Sequence, residues 1–343
     1  MQWYSMKMVT INCRPAASKI TARMGSGKTK DISDAILKVL DYYAVFAYPP
    51  LESELYRFLG VKTTRERFTK TLHKMRRLQL IAASQKEENR YCHFGSKKIF
   101  EHFYERKLLS QAKLDRSRTF FQLIRRFPVI RYAAISGSLS MLNGHPEDDV
   151  DVFLVTARGR MWSGRLVSLL SALALGKKRP RGVKHAPDAL CLNLYFDARN
   201  LTIPRDKQNE YIGHELLQLR PVFDLDGIGQ ALLQSNSWIY TLFPNAAQPH
   251  NSKEHSPDNI KNDGGKVSPV LVHHEVARPG DARRTRFSFT GIGDFVERLA
   301  RALQLPRIQR HTTRERITDT QLWFFPDDFQ DKLSERIVLR HLS

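Results

Sequence analysis

One stretch of this chain, residues 133–155, most constrains what the protein can fold into. It opens with an apolar run that breaks at Gly137 and Ser138, and it closes with Asp149 and Asp151 set into the start of a second apolar run. Side chains alternate between the faces of a β-strand, so the two aspartates point the same way while the valines beside them point into a core. Two carboxylates about 7 Å apart on one strand face suit divalent ions that bridge to a phosphate chain.

The Gly137-Ser138 turn stands where a first predicted strand, residues 129–136, ends and a helix begins. Backbone N–H groups and a hydroxyl at such a position hold phosphate oxygens. The alternative is a surface hairpin with an acidic turn. Asp151 lies inside an apolar run. This argues against the hairpin, because burying a carboxylate that has no binding partner destabilises the folded state.

The pattern resembles the Gly-Ser … Asp-x-Asp signature of the nucleotidyltransferase fold in the DNA polymerase beta superfamily. The resemblance implies an α+β or α/β domain, in which helices back a mixed sheet. It also implies transfer of a nucleotidyl group from an NTP, with Mg²⁺ (or Mn²⁺) as cofactor. Asp149 and Asp151 would be catalytic metal ligands, while Gly137 and Ser138 would bind the nucleotide. The resemblance leaves the acceptor and the oligomeric state open.

The superfamily usually places a third carboxylate on the next strand, predicted here at residues 189–196. The matching interior position is Asn193, whose amide can neither act as a base nor supply charge. Asp197 lies at the exit of this strand, on the same face as Asn193 and Tyr195 by parity. We expect Asp197 to complete the catalytic set, with Asp188 as the alternative. If neither substitutes, catalysis is weak or needs only two carboxylates.

Positive side chains after the second strand are candidate phosphate ligands. Arg165, with Arg160 near it, is expected to bind the triphosphate, although helix-start solvation and pairing between domains suit these residues equally well. A basic loop at residues 176–181 suits a polyanion or plain solvation. His214 lies on a later predicted helix, where packing against the sheet is favoured over a role in catalysis.

The region before this domain predicts a winged helix-turn-helix at residues 31–95. Three predicted helices, at 31–48, 51–59 and 64–78, precede a predicted hairpin at 80–94. The third helix carries basic residues on one face, and it is the helix that reads a major groove in such modules. Contact with DNA or RNA is therefore expected, and a winged helix used for packing or protein contact is the alternative.

The remaining boundaries follow from composition and periodicity. The predicted units are a disordered basic leader at 1–30, the winged helix at 31–95, a linker helix at 96–128, the nucleotidyltransferase domain at 129–245, a disordered linker at 246–285, and a helical C-terminal segment at 286–343.

Charge and cysteine content indicate which partners and which cellular compartment to expect. The 343-residue chain carries a formal net charge of +20, which favours polyanionic partners. Three distant cysteines without a Cys-x-x-Cys pair indicate neither a disulfide framework nor a zinc site and favour the cytoplasm. No apolar run reaches the length of a membrane span, so no membrane partner is expected.

Two functions from different classes follow. The first is a metal-dependent nucleotidyltransferase that moves an NMP group from an NTP to an unidentified acceptor. The second is a winged-helix DNA-binding regulator whose nucleotidyltransferase domain is inactive or only binds a nucleotide. Asn193 favours the second function, and the Asp149/Asp151 pair favours the first.

Overall fold

The computed structural model of the protein describes residues 28–84, 88–180, 183, 186–247, 290–310, 315–324, 333, 335 and 337. They form a mixed α and β structure around a six-stranded mixed sheet. Three predicted parts lie outside these residues: the leader up to residue 27, the linker from residue 248, and most of the predicted C-terminal segment beyond residue 324. Within the described ranges, no helix is long and apolar enough to cross a membrane.

The N-terminal part of the described chain contains three helices and a two-stranded antiparallel sheet. These elements are α1 (Lys28–Ala44), α2 (Glu52–Arg57), α3 (Arg65–Arg77), β1 (Ile81–Ala83) and β2 (Tyr91–His93). The hydroxyl of Thr64 caps α3 by accepting the Arg67 N–H at 3.3 Å, as a threonine at this position commonly does. The neighbouring Thr63 donates its N–H to Asn245 Oδ1 at 3.0 Å, and this bond ties the N-terminal part to the turn at residues 244–247.

A long helix, α4 (Ile99–Ile124), leads into the central sheet. The sheet order is β6-β3-β4-β5-β8-β7, in which β4 and β5 are parallel and every other pair is antiparallel. The strands are β3 (Ile130–Ile135), β4 (Val150–Thr156), β5 (Leu190–Asp197), β6 (Arg220–Asp224), β7 (Arg316–Ile317) and β8 (Gln321–Trp323).

Helices connect these strands and cover both faces of the sheet. They are α5 (Gly137–Ser140), α6 (Met161–Ala174), α7 (Glu210–Gln218), α8 (Ile228–Gln234), α9 (Ile239–Leu242) and α10 (Thr290–Gln309). Helix α6 makes the crossover between the parallel strands β4 and β5, which require a long connection.

The C-terminal part differs from the helical segment predicted at 286–343. Its helix α10 is present, but residues 316–323 form strands β7 and β8, and β8 pairs antiparallel with β5. Trp323 is 1% exposed and packs against Phe196 of β5. The apolar residues around Trp323 therefore extend the central sheet, and three residues are too few for periodicity to identify such a strand.

Two apolar cores lie on opposite faces of the sheet. One joins Phe153 and Phe196 to the side chains of α1, α2 and α7, including Tyr43 and Phe58. The other joins the opposite side chains of β4 and β5 to α4, α6 and α10. The N-terminal helices and the sheet thus share one continuous core, which fixes α7 beside the end of β3.

Candidate active site

The Gly137-Ser138 turn lies directly against β4. Ser136 N–H donates to the Asp151 carbonyl at 3.1 Å, and Gly137 has a φ of +65°. A Cβ on Gly137 would lie 2.8 Å from Asp151 Oδ2, which is closer than a side chain tolerates. Glycine is therefore required twice over, by the left-handed backbone and by the approach of the carboxylate.

Asp149 directly precedes β4 and Asp151 is the second residue of this strand, close to their predicted positions, and Cys191 of β5 lies beside them. Asp151 and Cys191 are register partners on the parallel strands. One ligand atom from each of the three side chains lies within 4.8 Å of the others. The aspartates are 5% and 2% exposed. Two carboxylates and a thiol in this arrangement have the donor chemistry to hold a divalent metal ion.

Asn193 borders this cluster from a β-bulge. Leu192 pairs with Val152 and Leu194 with Phe153, so Asn193 is the extra residue on β5. Its Nδ2 donates to Asp151 Oδ1 at 3.2 Å and lies 3.2 Å from Cys191 Sγ. The amide therefore orients the cluster from the position where the resemblance implied a carboxylate.

The bulge overturns the predicted parity of β5. Because one residue is inserted, Tyr195 lies in the core on the opposite face of the sheet from Phe153 and Phe196. Asp197 has the same parity as Tyr195 and pairs with Thr156 at the far end of β4. Six residues of strand place it roughly 20 Å from Cys191. The structure therefore does not bring Asp197 to the aspartate pair.

The Asp197 carboxylate has a structural environment of its own. It is fully buried, accepts the Gly159 N–H at 2.8 Å, and pairs with the Arg199 guanidinium at 2.9 Å. These contacts fix the turn that leaves β4.

Arg165 is also placed away from the Gly137-Ser138 turn. Its guanidinium donates to Gln304 Oε1 at 2.5 Å and lies 5.0 Å over the ring of Phe324. Both partners belong to the C-terminal part of the chain. The sequence left two alternatives to phosphate binding for Arg165, namely solvation at the helix start and pairing with another part of the chain. The described contacts match the second alternative.

Arg179 of the basic loop reaches the cluster instead. Its Nη1 pairs with Asp149 Oδ2 and lies 3.7 Å from Cys191 Sγ. The loop is anchored to the start of β5, because Leu190 N–H donates to the Lys177 carbonyl at 2.7 Å. The sequence identified the loop as basic, but which arginine faces Asp149 depends on how the loop closes on β5.

Glu215 of α7 is a site residue that the sequence analysis did not single out. Gly137 N–H donates to its Oε2 at 3.2 Å. Burial raises the pKa of Glu215 to about 7, although hydrogen bonds from Gly137 and Tyr211 act in the opposite direction. The sequence feature that could have identified Glu215 is its position within an apolar helix face, next to Leu216.

Asp148 closes the loop between the turn and β4. Its Oδ2 accepts the Ser138 hydroxyl at 3.0 Å and the His145 N–H at 2.8 Å. Burial raises the pKa of Asp148 to about 6, against these hydrogen bonds and the nearby Lys113. The Ser138 hydroxyl, which we expected to meet a phosphate, thus holds the loop together.

His214 has a packing role, as favoured over catalysis, but it packs against the N-terminal helices and not against the sheet. Its ring stacks between Tyr42, at 3.7 Å between centroids, and Phe58, at 4.1 Å. Burial, followed by the charge of Lys38, lowers the pKa of His214 well below 6.5. The neutral ring joins the N-terminal helices to α7 and places the neighbouring Glu215 against the turn.

Comparisons with models of known protein families, with curated proteins and with solved structures found no match to this chain.

Proposed function

We propose that this protein is a divalent-metal-dependent nucleotidyltransferase. One observation carries the proposal: Gly137 packs so closely on Asp151 that no side chain fits between them. A backbone turn suited to phosphate and a carboxylate suited to a metal ion therefore meet at van der Waals distance. A metal-bound triphosphate needs both features side by side.

Ionisable side chains already occupy both halves of this site. The Glu215 carboxylate accepts the Gly137 N–H, in the position that we assign to a phosphate oxygen. The Arg179 guanidinium pairs with Asp149, one of the two carboxylates to which we assign a metal ion. The Gly137-Ser138 turn is therefore suited to bind an anion, and the aspartate pair is suited to bind a cation.

The fold assignment is part of the proposal. The antiparallel pair β3–β4 with the turn between them, the parallel strand β5, and the helices around the sheet support a polymerase beta-like nucleotidyltransferase domain. Three helices followed by the hairpin of β1 and β2 support a winged helix-turn-helix before it.

The chemistry follows from the positions of the residues. Asp149 and Asp151 would hold Mg²⁺ or Mn²⁺, and the bound ion would supply positive charge that neutralises charge on the phosphates. The acceptor hydroxyl gives its proton to solvent and its oxygen forms a bond to the α-phosphorus of the NTP, while the bond from that phosphorus to the oxygen bridging to the β-phosphate breaks, so that pyrophosphate leaves. Without an ion, Asn193 holds Asp151 through its Nδ2. The described contacts give Asp197 and Arg165 no part in this reaction.

A DNA-binding regulator remains the second proposal, because of the outer face of α3. Exposed cations cover this face, and Lys70 pairs with Glu66 at 2.6 Å. The exposed basic residues on and just before the helix are Lys62, Arg67, Lys70, Arg76 and Arg77. A helix with this charge suits the phosphates of a duplex.

Label transfer tests the first proposal. The protein is incubated with α-labelled NTPs, Mg²⁺ or Mn²⁺, and pools of tRNA, DNA, protein extract and small metabolites. We expect label to reach one acceptor class with the native protein and not with Asp149→Ala or Asp151→Ala. Asp115→Ala, on the exposed side of α4, is the matched control and should retain transfer.

The same preparations separate the two proposals. If no pool is labelled, while the native protein and both aspartate variants bind duplex DNA with equal, salt-dependent affinity, the catalytic proposal is wrong. That result would favour the regulator.

A further inference from the structure

The third ligand position of the candidate metal site holds a thiol. Cys191 is the register partner of Asp151 across β4 and β5, and its Sγ belongs to the group of ligand atoms within 4.8 Å of one another. A zinc ion lies about 2.0–2.3 Å from oxygen and sulfur ligands, so two ligands of one ion are at most roughly 4.5 Å apart. Small side-chain rotations therefore bring the three atoms onto one ion.

The Asn193 amide is a second observation that points to a ligand here. This side chain is 5% exposed and touches both Asp151 and Cys191. Its Oδ1 is buried and has no hydrogen-bond partner among the described residues. The orientation of an amide follows from its hydrogen-bond network. A half-turn of the group would direct Oδ1 at the cluster, where a cation would satisfy it.

The charges at the site are also matched to a divalent ion. When Cys191 binds an ion as a thiolate, the two carboxylates and the thiolate carry three negative charges, and the Arg179 guanidinium beside Asp149 and Cys191 supplies one positive charge. A divalent ion brings the sum to zero. Binding through the thiolate releases the thiol proton to solvent.

We propose that Cys191 is the third metal ligand and that the site therefore selects thiophilic divalent ions, such as Co²⁺, Zn²⁺ or Cd²⁺, over Mg²⁺. This inference rests on the metal site of the proposed function and changes the ion assigned to it from Mg²⁺ or Mn²⁺ to a softer one. Thiolate ligands favour these softer ions, whereas Mg²⁺ requires oxygen ligands. An aspartate at position 191 would return the site to the preference for Mg²⁺.

Cobalt spectroscopy on the full chain tests the assignment without any assay of activity. Co²⁺ bound to a thiolate gives a sulfur-to-metal charge-transfer band in the near ultraviolet. We expect this band in the native protein and in Cys92→Ser, which alters a buried thiol on β2. In Cys191→Ser the band should disappear and Co²⁺ should bind roughly tenfold or more weakly, since even second-shell changes cost 10–100-fold.

A competition measurement on the native protein makes the test independent of how a variant folds. Co²⁺ should resist displacement by a large excess of Mg²⁺, and in Cys191→Asp this resistance should fall. If Mg²⁺ displaced Co²⁺ from the native protein as readily as Co²⁺ displaces Mg²⁺, the inference would be overturned. A charge-transfer band that survives Cys191→Ser would also overturn it. If Asp149→Asn then still abolishes ion binding, the carboxylate site of the proposed function stands. If the native protein binds neither ion, both proposals fail.

Discussion

Replacing Glu215 by Gln should change how the stability of this protein depends on pH. Glutamine has nearly the same shape and can still accept the Gly137 N–H, which donates to Glu215 Oε2 at 3.2 Å. It cannot ionise, so the substitution isolates the free energy of burying this carboxylate. Glu215 is 8% exposed, and solvent screens it little.

The size of the pH-dependent change in the free energy of unfolding follows from the pKa of Glu215, which burial raises from 4.5 to about 7. A raised pKa means that the folded state holds the proton more tightly than the unfolded state. The stabilisation is therefore fully present below pH 4.5 and is lost as the pH rises through about 7. At about 1.4 kcal/mol for each pH unit of displacement, the loss is roughly 3 kcal/mol.

Urea denaturation in a chelating buffer measures this effect. Between about pH 4 and about pH 8, the free energy of unfolding of the native protein should fall by about 3 kcal/mol relative to Glu215→Gln. Asp148 and His214 titrate in both proteins, so their contributions cancel in the difference. Glu210→Gln on the same helix changes a more exposed carboxylate and should leave the native profile intact. Parallel pH profiles for the native protein and Glu215→Gln would refute the reasoning.

Three further substitutions test the site and its support. Arg179→Gln removes the cation from Asp149, so divalent ions should bind about tenfold more tightly in calorimetric titrations; unchanged affinity would contradict the ion pair. Gly137→Ala forces a side chain into a left-handed conformation against Asp151 and should lower the free energy of unfolding by at least about 1–2 kcal/mol in urea, with no loss expected if the turn were open. His214→Ala empties the stack between Tyr42 and Phe58 and should cost about 3–5 kcal/mol, whereas His214→Phe should restore most of it in thermal melts.

Local sequence was sufficient to predict the turn and the aspartate pair. Gly137, Asp149 and Asp151 depend on one strand–turn–strand unit, whose positions follow from strand parity and a short connection. The helices before the sheet were predictable for the same reason, because each has its own apolar periodicity.

The rest of the site depends on non-local features. The bulge at Asn193 reverses the parity of all later residues on β5, and no residue type in that strand signals it. Cys191 meets the aspartates only through the register of two parallel strands, and Glu215 through the shared core that fixes α7. Strand β8 could not be predicted, because it is three residues long and its partner β5 is far away in the sequence.

Metal-dependent nucleotide binding tests the central claim most directly. Calorimetric titration of an NTP into the full chain, with and without a divalent ion, measures it in the native protein and in the double variant Asp149→Asn, Asp151→Asn. We predict binding that requires the ion in the native protein and is absent from the double variant. Binding that is equal with and without the ion, or equal in the two proteins, would contradict the account.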